Sequence, residues 1–205
     1  MKRLLLALLF AMPVSVLADA DKKPLPHYVL VPEESKLKFV AIQNSAPVQG
    51  AFKTFSADIY FSPDDHAMNS VTFDHSRITA EVDMSSVFAA YPAVAEELIK
   101  PDWFDVKRFP KATLKTNTIK MMPDRPNDDR HYYYADSDLT IRDKTVKVEL
   151  DFTLEQLTDK GAVADGRITL KRRDFGVGQG KWQSADEVDD VVGVTFHAVA
   201  KRVNP

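Results

Sequence analysis

Asp74, His75 and Ser76 bring together a carboxylate, an imidazole and a hydroxyl, the three groups of an acyl-transfer relay. Consecutive side chains of an extended segment point to opposite faces, so these three cannot line up as one. Ser35 and Lys38 fit the Ser-x-x-Lys spacing of penicillin-binding enzymes, but neither companion motif occurs in the chain. Asp174-Phe175-Gly176 matches the kinase magnesium triplet without the glycine-rich loop, strand lysine or catalytic loop that would give it meaning. Asp64-Asp65-His66 and Asp128-Asp129-Arg130-His131 set carboxylates beside imidazole, as a hard-cation site would. Both follow prolines in turn-forming sequence, where solvated aspartates are the default. The adjacent acids Glu33-Glu34, Glu96-Glu97 and Asp189-Asp190 diverge from one another and read as surface charge. The absence of cysteine removes thiol nucleophiles, zinc-thiolate sites, iron–sulfur clusters and disulfides together. The expectation is a protein with no catalytic residues, no metal site and no resident cofactor.

Gly176, Gly178 and Gly180 alternate within Lys171–Trp182 (KRRDFGVGQGKW). Alternation at period two predicts an extended segment with one face cleared of side chains. A bulky neighbour such as Trp182, a crossing backbone or a ligand must then fill the cleared space. No helix follows to aim its N-terminus at a phosphate, so the pattern is not a dinucleotide fingerprint.

Strand signals dominate the rest. Leu37, Phe39 and Ala41 alternate with polar or small partners, and Phe55, Ala57, Ile59 and Phe61 repeat the pattern. Nine or ten such runs, with turn residues between them, predict an all-β fold, an antiparallel sandwich or barrel. Helical patterning appears once, over Ser85–Lys100, where Val94 and Leu98 share a stripe that ends before Pro101. The Ile141–Val146 segment reads as a tight hairpin with Asp143 in the left-handed or bridging position. Phenylalanines recur on one phase of their strands (Phe39, Phe52, Phe55, Phe61, Phe73, Phe152, Phe196), and Trp103-Phe104 and Phe109-Pro110 add a further cluster. Pattern alone leaves open whether these fill a core or wall a cavity; a barrel of about eight strands has room for either.

Lys2 and Arg3, the apolar run Leu4–Met12 and small residues up to Ala20 have the form of a secretory signal peptide over residues 1–20. One domain over residues 21–205 and a periplasmic location follow as expectations. Removing residues 1–20, with Lys2, Arg3 and Asp19, takes the formal charge from −3 to −4, which argues against nucleic acid as a partner.

Four blocks in order carry a family resemblance: Val48-Gln49-Gly50-Ala51-Phe52 with Phe55; Trp103-Phe104-Asp105 with Phe109-Pro110-Lys111-Ala112; Leu139-Thr140-Ile141-Arg142-Asp143-Lys144-Thr145; and Arg173-Asp174-Phe175-Gly176-Val177-Gly178. Together they resemble the YceI family of polyisoprenoid-binding proteins, from about Tyr28 to Val203. The DFGVGQG-x-W form resembles a branch associated with membrane cytochromes of the b561 type. The resemblance implies a lipocalin-like antiparallel barrel whose tunnel holds a polyprenyl phosphate or a ubiquinone-like isoprenoid. It places Phe39, Phe52, Phe55, Phe61, Trp103, Phe104, Phe109, Phe175 and Trp182 along that tunnel. The chain departs from the family in lacking a histidine at Ala41-Ile42-Gln43-Asn44, and in having Asp143 where the turn usually has glycine. Arg142, Arg172 and Arg173 are phosphate candidates by charge, with surface arginine the plainer reading. Two alternatives stand beside the carrier: a module that docks onto a b-type cytochrome, and an enzyme with His197 turned inward. A homodimer along an edge strand is compatible with all three.

Overall fold

The computed structural model describes residues 24–62, 72–73, 75–123, 126–128 and 130–203. The leader, Asp64-Asp65-His66, Asp74 and Asp129 lie outside those residues. The strands are β1 (His27–Leu30), β2 (Lys36–Gln43), β3 (Ala46–Phe52), β4 (Phe55–Tyr60), β5 (Thr72–Phe73), β6 (Arg77–Asp83), β7 (Val87–Ala89), β8 (Lys111–Met121), β9 (His131–Ile141), β10 (Lys144–Leu157), β11 (Gly161–Lys171) and β12 (Val191–Arg202), with one helix, α1 (Pro92–Leu98). Eight of them close a barrel in the order β1–β4–β6–β8–β9–β10–β11–β12, and β12 returns to β1. Beyond the end of β1, β12 pairs with β2, which carries β3 and then β7. Closure removes the sheet edges that one-sided strands would otherwise expose.

The alternation of residue types sets the wall. Along β10, Val148, Leu150 and Phe152 are buried while Lys147, Glu149 and Asp151 face solvent. Irregularities at Thr116/Thr118 in β8 and Leu154/Gln156 in β10 break the register, as bulges that help strands bend around a barrel. Ser35 patches the gap between β1 and β2: its Oγ donates to the Val31 carbonyl at 2.8 Å and accepts from the Val199 amide at 3.0 Å. The Ser-x-x-Lys serine is a backbone bridge.

Three local expectations are corrected. The predicted helix over Ser85–Lys100 is only α1. Its start is set by Pro92, whose fixed φ and missing N–H suit the first helical position. Upstream, Asp83 caps a short 3₁₀ turn at Met84–Ser86, and Val87–Ala89 is recruited as a strand by β3. In the β9–β10 hairpin the left-handed residue is Arg142 (φ 57°), so of the two conformations expected for Asp143 the left-handed one falls away. Two of the alternating runs expected as separate strands, Tyr132–Tyr134 and Leu139–Ile141, are the ends of the single strand β9, because the small residues Ala135 and Ser137 continue the buried phase between them.

A hydrogen-bonded network on the outer wall makes stability pH-dependent. The Tyr134 hydroxyl donates to Asp136 at 2.7 Å and to Glu149 at 3.3 Å, and Thr118 donates to Asp136 at 3.0 Å. These donors hold the Asp136 carboxyl below its ordinary value, and the bond to Asp136 pushes the Tyr134 hydroxyl up to about 12. Arg130 and Tyr132 depress Asp128 in the same way, and Arg173 depresses Asp190. A depressed carboxyl stabilises the fold above its unfolded value near ~4 and loses that contribution as pH falls through its folded value. A raised tyrosine stabilises below ~10 and loses its contribution as pH climbs toward its folded value. The melting temperature is therefore expected to be flat between about pH 5 and 9, and to fall outside that window. Calorimetry across the pH series checks this; a melting temperature rising on acidification below about pH 4 would contradict it.

Candidate functional site: the barrel lumen

The barrel interior is divided. Phe61, Phe73, Tyr133 and Phe152 pack into solid core, with Phe61–Phe73 ring centroids 5.1 Å apart and Tyr133 stacked on Phe152 at 5.2 Å. Beside them lies a cavity of about 570 Å³ with an almost wholly apolar wall. Two features keep it open. Alanines face one another across the strands at Ala57/Ala80, Ala164/Ala198 and Ala162/Ala200, and all six line the lumen. Glycines let aromatic rings lie back against the wall: a Cβ at Gly50 would sit 2.2 Å from Phe39 Cζ, and one at Gly166 2.3 Å from Phe196 Cζ. In each case the ring occupies the space above the glycine directly opposite it.

One end of the lumen is capped by α1 and the segments that follow β7 and β11. Arg172 organises the cap. It is 4 % exposed, and Nε donates to Asp189, Nη1 to Val177 and Gly178, and Nη2 to Ser184 and Val188. All five N–H groups meet backbone carbonyls at 2.7–3.2 Å, which ties the loop into one unit. Burial lowers the Arg172 pKa from its ordinary value. Arg142 makes a second tie, with Nη1 donating to Pro101, Trp103 and Gly176 carbonyls at 3.0, 2.5 and 3.0 Å.

The alternating glycines sit inside this cap, and the expected extended segment is absent. Residues Arg172–Phe175 and Gly180–Trp182 are 3₁₀ turns, and all three glycines are left-handed, at φ 65°, 79° and 60°. Glycine was required for backbone conformation rather than for a cleared strand face. The space is filled all the same: a Cβ on Gly178 would lie 2.2 Å from Arg172 Nη1, and one on Gly180 3.3 Å from the Asp102 carboxylate. Trp103 and Trp182 meet with ring centroids 5.6 Å apart, and Trp182 Nε1 donates to Glu97 of α1 at 3.2 Å.

A family model for the YceI-like domain matches residues 28–200, which takes in the barrel from its first strand to its last. The chain belongs to the YceI-like family. Among solved structures, Burkholderia cenocepacia BcnA is 29% identical, with a TM-score of 0.70 over 83% of this chain and 98% of that one. A polyisoprenoid binding domain from Saccharophagus degradans, implicated in plant cell wall breakdown, is 12% identical, with a TM-score of 0.62 over 87% and 99%. The Campylobacter jejuni YCEI protein is 19% identical, with a TM-score of 0.56 over 76% and 85%. A search of the curated proteins found no match.

Eight of the nine aromatic residues singled out in the sequence border the lumen of this YceI-like barrel: Phe39, Phe52, Phe55, Phe61, Trp103, Phe104, Phe175 and Trp182. Phe109 does not. The chain turns at Asp105 (φ 49°), whose carbonyl accepts from the Arg108 and Phe109 amides, and the Phe109 ring lies under the Arg108 and Arg142 guanidiniums. Of the three arginines, Arg173 is a surface residue paired with Asp190 at 3.0 Å, whereas Arg172 is buried rather than exposed. Phe196 enters the lumen from β12; His197 follows on the opposite phase, touches only the lumen's border and bonds Asp165, which it faces on β11, at 3.0 Å. The lining alanines and the Arg172 clamp escaped sequence reasoning. Alanine carries little strand signal, and a buried arginine looks like a surface one until its carbonyls are in place. The apolar phase of Ala57, Ile59 and Phe61 was the one available hint.

Proposed function

We propose that this YceI-like protein is an exported, non-catalytic carrier that holds the chain of one isoprenoid lipid in its lumen. The observation that carries the reading is the lumen itself. A volume of about 570 Å³ lies within the ~300–1,000 Å³ of small-molecule sites, and its wall offers apolar contact along most of its length. Each methylene moved there from water contributes ~0.8 kcal/mol, so a dozen carbons supply ~10 kcal/mol before ordering costs are subtracted. The polyisoprenoid binding of the Saccharophagus degradans relative supports an isoprenoid over other apolar chains. The basic and apolar leader supports export to the periplasm. The alternative, a module docking onto a b-type cytochrome, calls for a narrow lumen, and the cavity volume favours the carrier.

Native mass spectrometry of the mature protein purified from its own envelope, followed by solvent extraction, tests this. An isoprenoid released in near-stoichiometric amount is expected. A protein that flies empty, and stays empty when offered quinones and polyprenyl phosphates, would overturn the carrier reading.

A further inference from the structure

Among the described residues, eight large apolar side chains face water, and four of them, Val40, Ile42, Phe88 and Val191, lie on one outer face of the sheet, each 36–51 % exposed. Pairing puts them there. β12, β2, β3 and β7 are consecutive in the sheet, and because Val194, Phe39 and Val48 turn into the lumen, the alternate positions of their strands turn outward. Across the strands Gly193 faces Val40, Lys38 faces Ala51, and Ala51 faces Phe88. A Cβ at Gly193 would meet nothing within 4 Å, so no side chain covers this part of the face. Apolar exposure gathered in this way marks an interaction surface.

The charges of the face decide its partner. The chain has 30 acidic residues, yet β2, β3, β7 and β12 contain none. Lys36 and Lys38 stand outward on β2, and Lys53, just past β3, lies over the Phe88 ring at 4.6 Å. Among the described residues no ion pair engages these three, whereas Lys100, Lys111 and Lys147 are held by Glu97, Glu81 and Asp138. Acids stand at the margins: Glu33 and Glu34 precede β2, Asp189 and Asp190 precede β12, and Asp165 on β11 is engaged by His197. The acids farther away, which make the chain negative overall, are screened by salt beyond ~10 Å. The face itself is apolar with a cationic rim.

That combination fits a bilayer surface bearing anionic headgroups, where apolar side chains enter the boundary and basic ones stay among the phosphates. Lysine suits such a layer, because a compact charge on a long stem follows a diffuse array. A fixed protein carboxylate is matched better by the arginine fork, which β2, β3 and β7 lack. A second copy is a poor partner: a two-fold contact would lay the lysines of one face onto the same acid-free face of the other. The position suits a lipid surface as well. The chain runs from Phe88 through Tyr91, 72 % exposed, into α1, where Ala93 is exposed and also borders the lumen.

We propose that the outer face of β12, β2, β3 and β7 docks the protein onto a bilayer with anionic headgroups, Val40 and Phe88 meeting the acyl boundary and Lys36, Lys38 and Lys53 the phosphates. Such docking acts whatever the lumen holds, and so does not depend on the carrier reading.

Co-sedimentation of the mature protein with vesicles tests this. Vesicles with about one-third phosphatidylglycerol in phosphatidylcholine should bind at least about tenfold more tightly than phosphatidylcholine alone, and ~0.5 M salt should remove most of the difference. Lys36→Gln with Lys38→Gln should weaken binding to the anionic vesicles about 25-fold, ~fivefold for each lysine, and Phe88→Ser about tenfold. Lys115→Gln with Lys120→Gln, two exposed lysines on β8 across the barrel, should change it less than about twofold. Independently of these variants, a benzoylphenylalanine photoprobe at Val40 should cross-link to phospholipid in intact envelopes. Equal binding to the two vesicles, or equal losses from the two lysine pairs, would overturn the docking face. Photoproducts with an acidic protein or a second copy, in place of lipid, would overturn it as well. Any of these failures leaves the carrier reading intact, and an empty lumen by native mass spectrometry would leave the docking face intact.

Discussion

Replacing Arg172 by methionine is expected to cost about 3–5 kcal/mol, since several buried carbonyls lose their donor at ~1–3 kcal/mol each and relaxation returns part of it. Methionine matches the arginine stem in bulk but donates nothing, so the carbonyls of Val177, Gly178, Ser184, Val188 and Asp189 lose their shared partner inside the cap. Water can reach them only if the loop swings out, which breaks the two hydrogen bonds that the Gly178 and Gln179 amides donate to the Asp102 carbonyl. Arg172→Lys is expected to fall between the two, because three donors on a compact ammonium cannot span five carbonyls. Urea unfolding followed by tryptophan fluorescence reads this well, since both tryptophans of the chain sit in the cap. A loss below about 1 kcal/mol would show that the carbonyls find other partners without disturbing the fold.

Placing a phenyl ring in the lumen should separate binding from stability. Ala164 lies opposite Ala198 on one side and Leu154 on the other, all facing the cavity. In Ala164→Phe the ring enters empty apolar space, so unfolding free energy should change by less than about 1 kcal/mol, far from the cost of overpacking a filled core. The same ring displaces roughly three methylenes of any guest chain, worth ~0.8 kcal/mol each, or about 50-fold in affinity. Titration with a prenyl lipid alongside urea unfolding gives both numbers. Unaltered affinity would place the lipid elsewhere on the protein, and a large loss of stability would mean that the lumen is packed in solution.

The wall strands were readable because each carries its own instruction: a lumen-facing apolar residue at every second position, written at period two. Val148, Leu150 and Phe152 in β10 and Val192, Val194 and Phe196 in β12 needed no tertiary context to declare a face. The four sequence blocks reached the family for a related reason, since turns, prolines and aromatic pairs have local geometry that local sequence must supply. Pro92 as a helix start was equally local, yet the residues before it went to β3 because a strand was waiting there to pair. Three decisions were made only in three dimensions. Whether the lumen is empty depends on alanines meeting alanines across strands far apart in sequence, a sum of volumes that no one strand encodes. Whether Arg172 is surface or core depends on five carbonyls delivered by a loop up to seventeen residues away. Whether Phe109 faces lipid or solvent depends on the turn at Asp105 and the reach of Arg142 from another hairpin. Periodicity fixes which way a side chain points along its own strand; what it points at is set by the partners that packing brings to it.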